Sequence, residues 1–302
     1  MEKALVVDKI SKDYFGKQVL SEISFTVSKG AIHGLLGPNG AGKSTTMKII
    51  AGLLRPQSGQ VNWPHDRSRC AILTEGLSLY SELTVTEFLT YMGKLYGITQ
   101  DQIFHEVSHV IKMFHLSSVE KKLINQLSKG FKQRLGIASI LIHKPEFIIL
   151  DEPTVGLDPQ TVIELREMIL KLKDSHTILI SSHSLHDMSL LCDEVTILHH
   201  GKVQASGNVK DIEKLFKKEN LIICHVKKTP IEKVQAIKIQ NLKLKELKEG
   251  QDYELIFENQ SQEDLRPILV QYLIQNGFEL LALEEKHNNL EEIFFQATGR
   301  EE

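Results

Sequence analysis

Cysteine is scarce in this chain of 302 residues: Cys70, Cys192 and Cys224 lie far apart and form no metal-type spacing. Three scattered thiols suit a reducing cytoplasm. A strong charge of one sign is also missing, and a formal net charge of -3 gives no whole-protein ground for binding nucleic acid. No apolar run approaches the ~20 residues that cross a bilayer, so any work at a membrane leaves the spanning to another polypeptide. The opening "MEKALVVDKI" has charges on both sides of its only apolar run, which argues against a signal peptide. Internal repeats and low-complexity segments are absent as well. What remains is ordinary globular material, 41% hydrophobic and 25% charged, long enough for one large domain and a smaller one.

Residues 1 to about 73 alternate short β-branched runs ("ALVVDKI", "ISFTV", "AIHGLLG") with turns and include a helix at "GKSTTMKIIAGLL". From about 83 to 145 the period becomes helical, as in "LTVTEFLTYMGKLYG" and "IFHEVSHVIKMFHL". Strand signals return with "EFIILDEP", "HTILISSH" and "EVTILHHGKV". The pattern predicts an α/β core interrupted by a helical insertion. After about Gly207 the composition shifts: lysines outnumber acids as far as Lys248, and acids dominate from Asp252 onward. Strands are expected at "LIICHV", "YELIFE" and "FELLALEE", and helices at "QEDLRPILVQYLIQ" and "LEEIFFQAT". They predict a core over residues 1–216 and a small C-terminal α+β domain over 217–302. The charge runs read as solvated faces.

"GPNGAGKST", Gly37 to Thr45, fits G-x-x-x-x-G-K-[ST] between a predicted strand and a predicted helix. In such a loop (Gly37, Pro38, Asn39, Gly40, Ala41, Gly42, Lys43, Ser44, Thr45) backbone N–H groups turn inward around phosphates, and the helix N-terminus adds its positive dipole end. Lys43 would reach the β- and γ-phosphates of ATP, and the Ser44 hydroxyl would ligate Mg²⁺. In "FIILDEPT" a buried strand ends in Asp151, placed to hold Mg²⁺ through its hydration shell. Glu152 follows, where a carboxylate can orient and deprotonate a water for attack on the γ-phosphate.

A second segment also suits a phosphate. "LSKGFKQRLGIA" opens a helix with Ser128 at the N-cap position, Gly130 two places on, and the cations Lys129, Lys132 and Arg134. The pair His199–His200 reads either as metal ligands or as a solvated hairpin beside Gly201.

Together these motifs resemble the ATP-binding-cassette (ABC) ATPases, from about residue 3 to about residue 207. "LSKGFKQRL" resembles the family signature, "DEPTVGLD" the Walker B motif running into the D-loop at Asp158, and "ISSHSLHD" the switch histidine, His183. Tyr14 resembles the aromatic that stacks on adenine, with neighbouring Phe15 as a rival. The resemblance implies a P-loop NTPase (RecA-like) core with an antiparallel β subdomain. It implies that Ser128, Lys129, Gly130 and Gln133 address the ATP of an opposite subunit. Lys129 and Phe131 stand where the commonest signature has glycine and glutamine, and Glu75 where the family usually has the glutamine that contacts Mg²⁺. Each of these variants resembles bacterial exporters of drugs, antibiotics and peptides, as does the ending "LEEIFFQATG".

The implied protein is an ATP-hydrolysing subunit on the cytoplasmic face of the cell membrane. It would pair as a homodimer, or as a heterodimer with a related ATPase, and drive separately encoded integral-membrane permease subunits. No direct nucleic-acid contact is expected. The alternative is a soluble ABC ATPase acting on nucleic acid or ribosomes, but neither a coiled-coil or zinc insertion nor a second cassette is seen. A regulatory module that hydrolyses little is disfavoured by Glu152 and His183.

Overall fold

The computed structural model describes residues 2–63, 69–76, 79–215, 220–259, 261 and 263–286. These form two compact units that divide between Val209 and Lys210, close to the composition shift after about Gly207 and a few residues before the expected boundary at 216/217. The closing segment Leu290–Gly299, with its expected helix, lies outside the described residues.

In the first unit, β1 (Lys3–Tyr14) and β2 (Lys17–Ser28) pair as an antiparallel hairpin. β4 (Ser58–Asn62) adds to the other edge of β1. A six-stranded sheet contains β3 (Ile32–Leu36), β5 (Cys70–Leu73), β6 (Phe147–Leu150), β7 (Thr177–Ser182), β8 (Glu194–His199) and β9 (Lys202–Asn208). Its order is β5-β6-β7-β3-β8-β9, parallel except for the last, antiparallel pair. β3, β6 and β7 are buried at every position, which accounts for their predominantly apolar sequences; His33 on β3 and Thr177, Ser181 and Ser182 on β7 are the buried polar exceptions.

The insertion contains α2 (Val85–Leu95), α3 (Gln100–Met113) and α4 (Lys129–Leu141). Thr84 starts α2 through a capping box with Glu87. The core sheet is served by α1 (Lys43–Ala51), α5 (Pro159–Leu172) and α6 (Leu185–Leu191). Because β7 lies between β3 and β6, the turns leaving all three strands open at the same, carboxyl edge of the sheet. Ligands of open α/β sheets gather at that edge.

α7 (Val209–Leu215) begins at the division between the units. The second unit continues with β10 (Asn220–Val226), α8 (Ile231–Gln235), β11 (Leu242–Glu249), β12 (Tyr253–Asn259), α9 (Arg266–Gln275) and β13 (Leu280–Lys286). Its antiparallel order, β11-β12-β10-β13, is that of a split β-α-β-β-α-β fold. Ile222, Cys224, Val226, Leu255, Phe257, Leu269 and Leu273 form its own core. Burial pushes the Cys224 thiol up to about 12, so it behaves as a small hydrophobe.

Sequence reading missed β11, which lies in the lysine-rich run. There Lys243, Lys245 and Lys248 face solvent, while Leu242, Leu244 and Leu247 pack inward. The helix expected from Gln262 begins at Arg266, because Asp264 accepts from the Arg266 backbone N–H at 3.0 Å and its side chain at 2.8 Å, fixing a turn first.

Candidate nucleotide site

The loop Gly37–Thr45 leaves β3 and enters α1, as its spacing requires. Gly40 and Gly42 adopt φ values of 83° and 104°, backbone that side-chain-bearing residues rarely take. Gly37 is needed for a different reason: a Cβ there would overlap the Leu198 carbonyl oxygen. Lys43 is buried, and its Nζ donates to the carbonyls of Gly37 at 2.8 Å and Pro38 at 3.3 Å. The same ammonium lies 3.1 Å from Glu152 Oε1.

Asp151 follows β6 and gathers hydroxyls. Ser44 Oγ donates to its Oδ1 at 3.1 Å, and Ser181 Oγ donates to the same oxygen at 2.7 Å. Ser181 also accepts the backbone N–H of Glu152 at 2.8 Å, so one serine on β7 fixes both acidic residues. Glu152 takes φ 49°, uncommon for a residue with a side chain and typical of strain held at a functional site. Its Oε2 lies 3.0 Å from His183 Nδ1, while its buried Oε1 makes no aligned hydrogen bond among the described residues. Asp151 and Ser44 offer hard oxygen donors at the foot of α1, a donor set that fits Mg²⁺.

These groups border a cleft of about 370 Å³ lined by Val19, Asn39, Gly40, Gly42, Lys43, Ser44, Thr45, Glu75, Glu152, Val155 and His183. Glu75, two residues past β5, thus stands with the phosphate loop. Tyr14 does not line this cleft: it ends β1 with the Lys12 ammonium 5.7 Å from its ring centroid. Phe15, at φ 51°, is wholly exposed. Val19, which sequence reading passed over, lines the cleft instead.

The second phosphate-like segment lies elsewhere. Ser128 caps α4, accepting the Phe131 N–H at 3.4 Å, and none of Ser128, Lys129, Gly130 and Gln133 lines the cleft of its own chain. Ser128 and Lys129 are exposed, whereas Gln133 is buried. Arg134 leaves the expected cationic cluster, because it pairs with Glu164 on α5 and its side chain is only 11% exposed. Asp158 caps α5, accepting the Thr161 hydroxyl at 2.7 Å and N–H at 3.0 Å; these bonds hold its carboxyl below the usual range.

His199 and His200 close the β8–β9 hairpin, their rings 4.0 Å apart. Among the described residues no cluster of three or more potential metal ligands occurs. The hairpin is also more than a solvated tip. Gly201 N–H donates to the Ala41 carbonyl of the phosphate loop at 3.2 Å, and its carbonyl accepts Ser21 N–H at 2.8 Å.

A glycine-rich turn between a buried parallel strand and a helix, with a lysine inside the turn and acids on a nearby strand, defines a P-loop nucleoside triphosphatase. Residues 20–155 match the family described as ABC transporter. The chain is 31% identical to the linearmycin resistance ATP-binding protein LnrL of Bacillus subtilis, with 98% of each chain covered. It is likewise 31% identical to the bacitracin transport ATP-binding protein BcrA of Bacillus licheniformis, covering 99% of this chain and 98% of that one. Among solved structures, cbiO1 of Clostridium perfringens, part of the ABC transporter complex cbiONQ, aligns with TM-score 0.65 and 28% identity over 70% of this chain and 91% of its own.

The chain belongs to the ABC transporter ATP-binding proteins. It binds nucleotide and hydrolyses ATP as the ATP-binding subunit of a transporter, and so works with membrane partners. Among the described residues no helix is long and apolar enough to cross a membrane.

Proposed function

We propose that the chain powers an exporter of antibiotic-like molecules. Two copies, or one copy and a related ATPase, would face each other on the cytoplasmic side of permease subunits. The end-to-end match to LnrL and BcrA, through the second unit, supports this choice of cargo class. One observation carries the paired arrangement. The cleft holds the phosphate loop, Glu75, Glu152 and His183 of one chain but nothing of its exposed Ser128 segment. Such a segment, at the N-terminus of an α-helix, is suited to another subunit's ATP.

In this reading Lys43 exchanges its loop carbonyls for β- and γ-phosphate oxygens. Ser44 and Asp151 would hold Mg²⁺, which neutralises charge on those phosphates. Glu75 lies within the same cleft as a further oxygen donor. Glu152, oriented by His183 and by the Ser181 hydrogen bond to its backbone, accepts a proton from the attacking water. The Ser128 hydroxyl and the first N–H groups of α4 contact the γ-phosphate from the facing subunit.

Affinity purification of the full chain from detergent-solubilised membranes tests the assignment. A stoichiometric, highly apolar partner should copurify, and the complex in vesicles should move an amphipathic antibiotic outward from the ATP-binding side. Recovery of ribosomes or nucleic acid without an apolar partner would favour the soluble alternative.

A further inference from the structure

The first turns of α4 meet α5 and the loop before it at three points within one chain. Lys129 lays its side chain along Gly156, with its ammonium in the space a Cβ would occupy there. A Cβ at Gly130 would come within 2.8 Å of the Thr161 methyl carbon, so α4 and α5 approach closely at that point. Arg134 pairs with Glu164. Thr161 in turn donates to Asp158, which extends these contacts to the cap of α5.

The segment held in this way begins at Glu152. It includes Val155, which lines the nucleotide cleft, and Gly156, whose φ of 69° suits a residue without a side chain. Lys129 itself is exposed, and its charge makes no ion pair among the described residues. Its contact with the described residues at this point is with the bare backbone of Gly156, which leaves room for the end of the lysine side chain. A helix that begins at the exposed Ser128 is thus interlocked with the loop that follows its own Glu152.

We propose that Lys129 is a positioning residue that couples the two ATP sites of a facing pair. The proposal rests on the paired arrangement above, in which Ser128 serves the partner's ATP while Glu152 serves its own. Closure of Ser128 on one nucleotide shifts Lys129. The interlock passes that shift to Gly156 and Val155, and so to the neighbouring Glu152. The two sites then respond to ATP together. The coupling is steric: it needs the length of the lysine side chain and the bare backbone of Gly156, not the positive charge.

ATP titration of steady-state hydrolysis by the full chain tests this, using Lys129→Ala, Lys129→Met and Gly156→Ala with thermal unfolding as a check on folding. The wild type should show a Hill coefficient approaching about 2, the number of sites. Lys129→Ala should bring it to about 1, with turnover reduced severalfold. Gly156→Ala, which crowds the lysine and strains the loop, should do the same. Lys129→Met keeps the side-chain length and should retain the cooperativity.

Loss of cooperativity in Lys129→Met equal to that in Lys129→Ala would show that the charge acts instead, and would overturn the steric coupling. So would a wild-type coefficient of 1, or an unchanged coefficient in Lys129→Ala. Because Lys129 is exposed, these arms stand even if Gly156→Ala fails to fold. Mixing of Lys43→Ala with Ser128→Arg subunits judges the paired arrangement separately. If those subunits fail to complement, the arrangement itself falls. If they complement while Lys129→Ala stays cooperative, only the coupling falls.

Discussion

His183 Nδ1 lies 3.0 Å from Glu152 Oε2, so the carboxylate proposed to receive a proton is oriented by a side chain that is itself half exposed. A removable orienting group predicts a graded loss. His183→Ala should lower hydrolysis by roughly 10²-fold, the lower end of what a positioned proton acceptor contributes. Nucleotide affinity, measured with a fluorescent ATP analogue, should stay near wild type, since Lys43 and the loop N–H groups are untouched.

Glu152→Gln should cost more, about 10²- to 10⁴-fold, because the amide keeps the shape but cannot accept the proton. ATP should still bind. With ATP and Mg²⁺ the variant should accumulate as a dimer in size-exclusion chromatography. Turnover near wild type would place the base on another residue.

Glu75→Gln is expected to be tolerated by the isolated subunit. Both side chains present an oxygen to the cleft, and the amide removes a negative charge that faces the phosphates. Apparent ATP affinity should hold or improve. Collapse of Mg²⁺-dependent hydrolysis would identify Glu75 as an essential carboxylate.

Mixing should restore activity to two dead variants. Lys43→Ala subunits lose their hold on the β- and γ-phosphates, and Ser128→Arg subunits block a facing phosphate. In a mixed dimer one site carries both lesions, and the other combines an intact phosphate loop with an intact Ser128. Hydrolysis or trapped nucleotide should return in part. If subunits exchange and neither signal recovers, Ser128 does not act across an interface.

Acid stability should depend on Glu194. Burial alone would raise its carboxyl, but hydrogen bonds from His33 and from the Ser28 side chain and backbone outweigh burial and hold it at about 2. A carboxyl depressed in the folded state stabilises above its ordinary value and loses that contribution as pH falls through the folded value. The wild type should therefore lose stability between about pH 4.5 and about pH 2, more steeply than Glu194→Gln. Melting temperatures across that range give the comparison, and parallel slopes would remove Glu194 from the account.

The phosphate loop and Asp151 could be read in the sequence because each depends on its immediate neighbours: a buried strand, a turn demanding glycine, a helix start. Ser181 could not. Its partners Asp151 and Glu152 lie about 30 residues earlier, just beyond the end of the neighbouring strand β6, and only the order β6-β7-β3 brings them together. Arg134 misled for a similar reason, since Glu164 sits on a helix that packs beside α4 but is distant in the chain. β11 was hidden because its three lysines match its three leucines in number and a register irregularity between Leu244 and Glu246 breaks the alternation that would have marked the strand. Residue type offered Tyr14 and Phe15 as partners for adenine; that neither lines the phosphate cleft depends on the turn that carries them, which residue type does not describe.

Hairpin tips are commonly where tags, linkers and reporter domains are inserted, because few contacts are lost there. The tip at His200–Gly201 is an exception. Gly201 ties to Ala41 on one side and Ser21 on the other, and a side chain in its place would overlap the Val19 carbonyl. A reporter grafted at this turn would therefore disturb the phosphate loop and the β2 wall of the cleft together. The same property makes it a place to install a control element: a ligand-responsive insert there would gate ATP use from a turn that belongs to none of the recognised motifs.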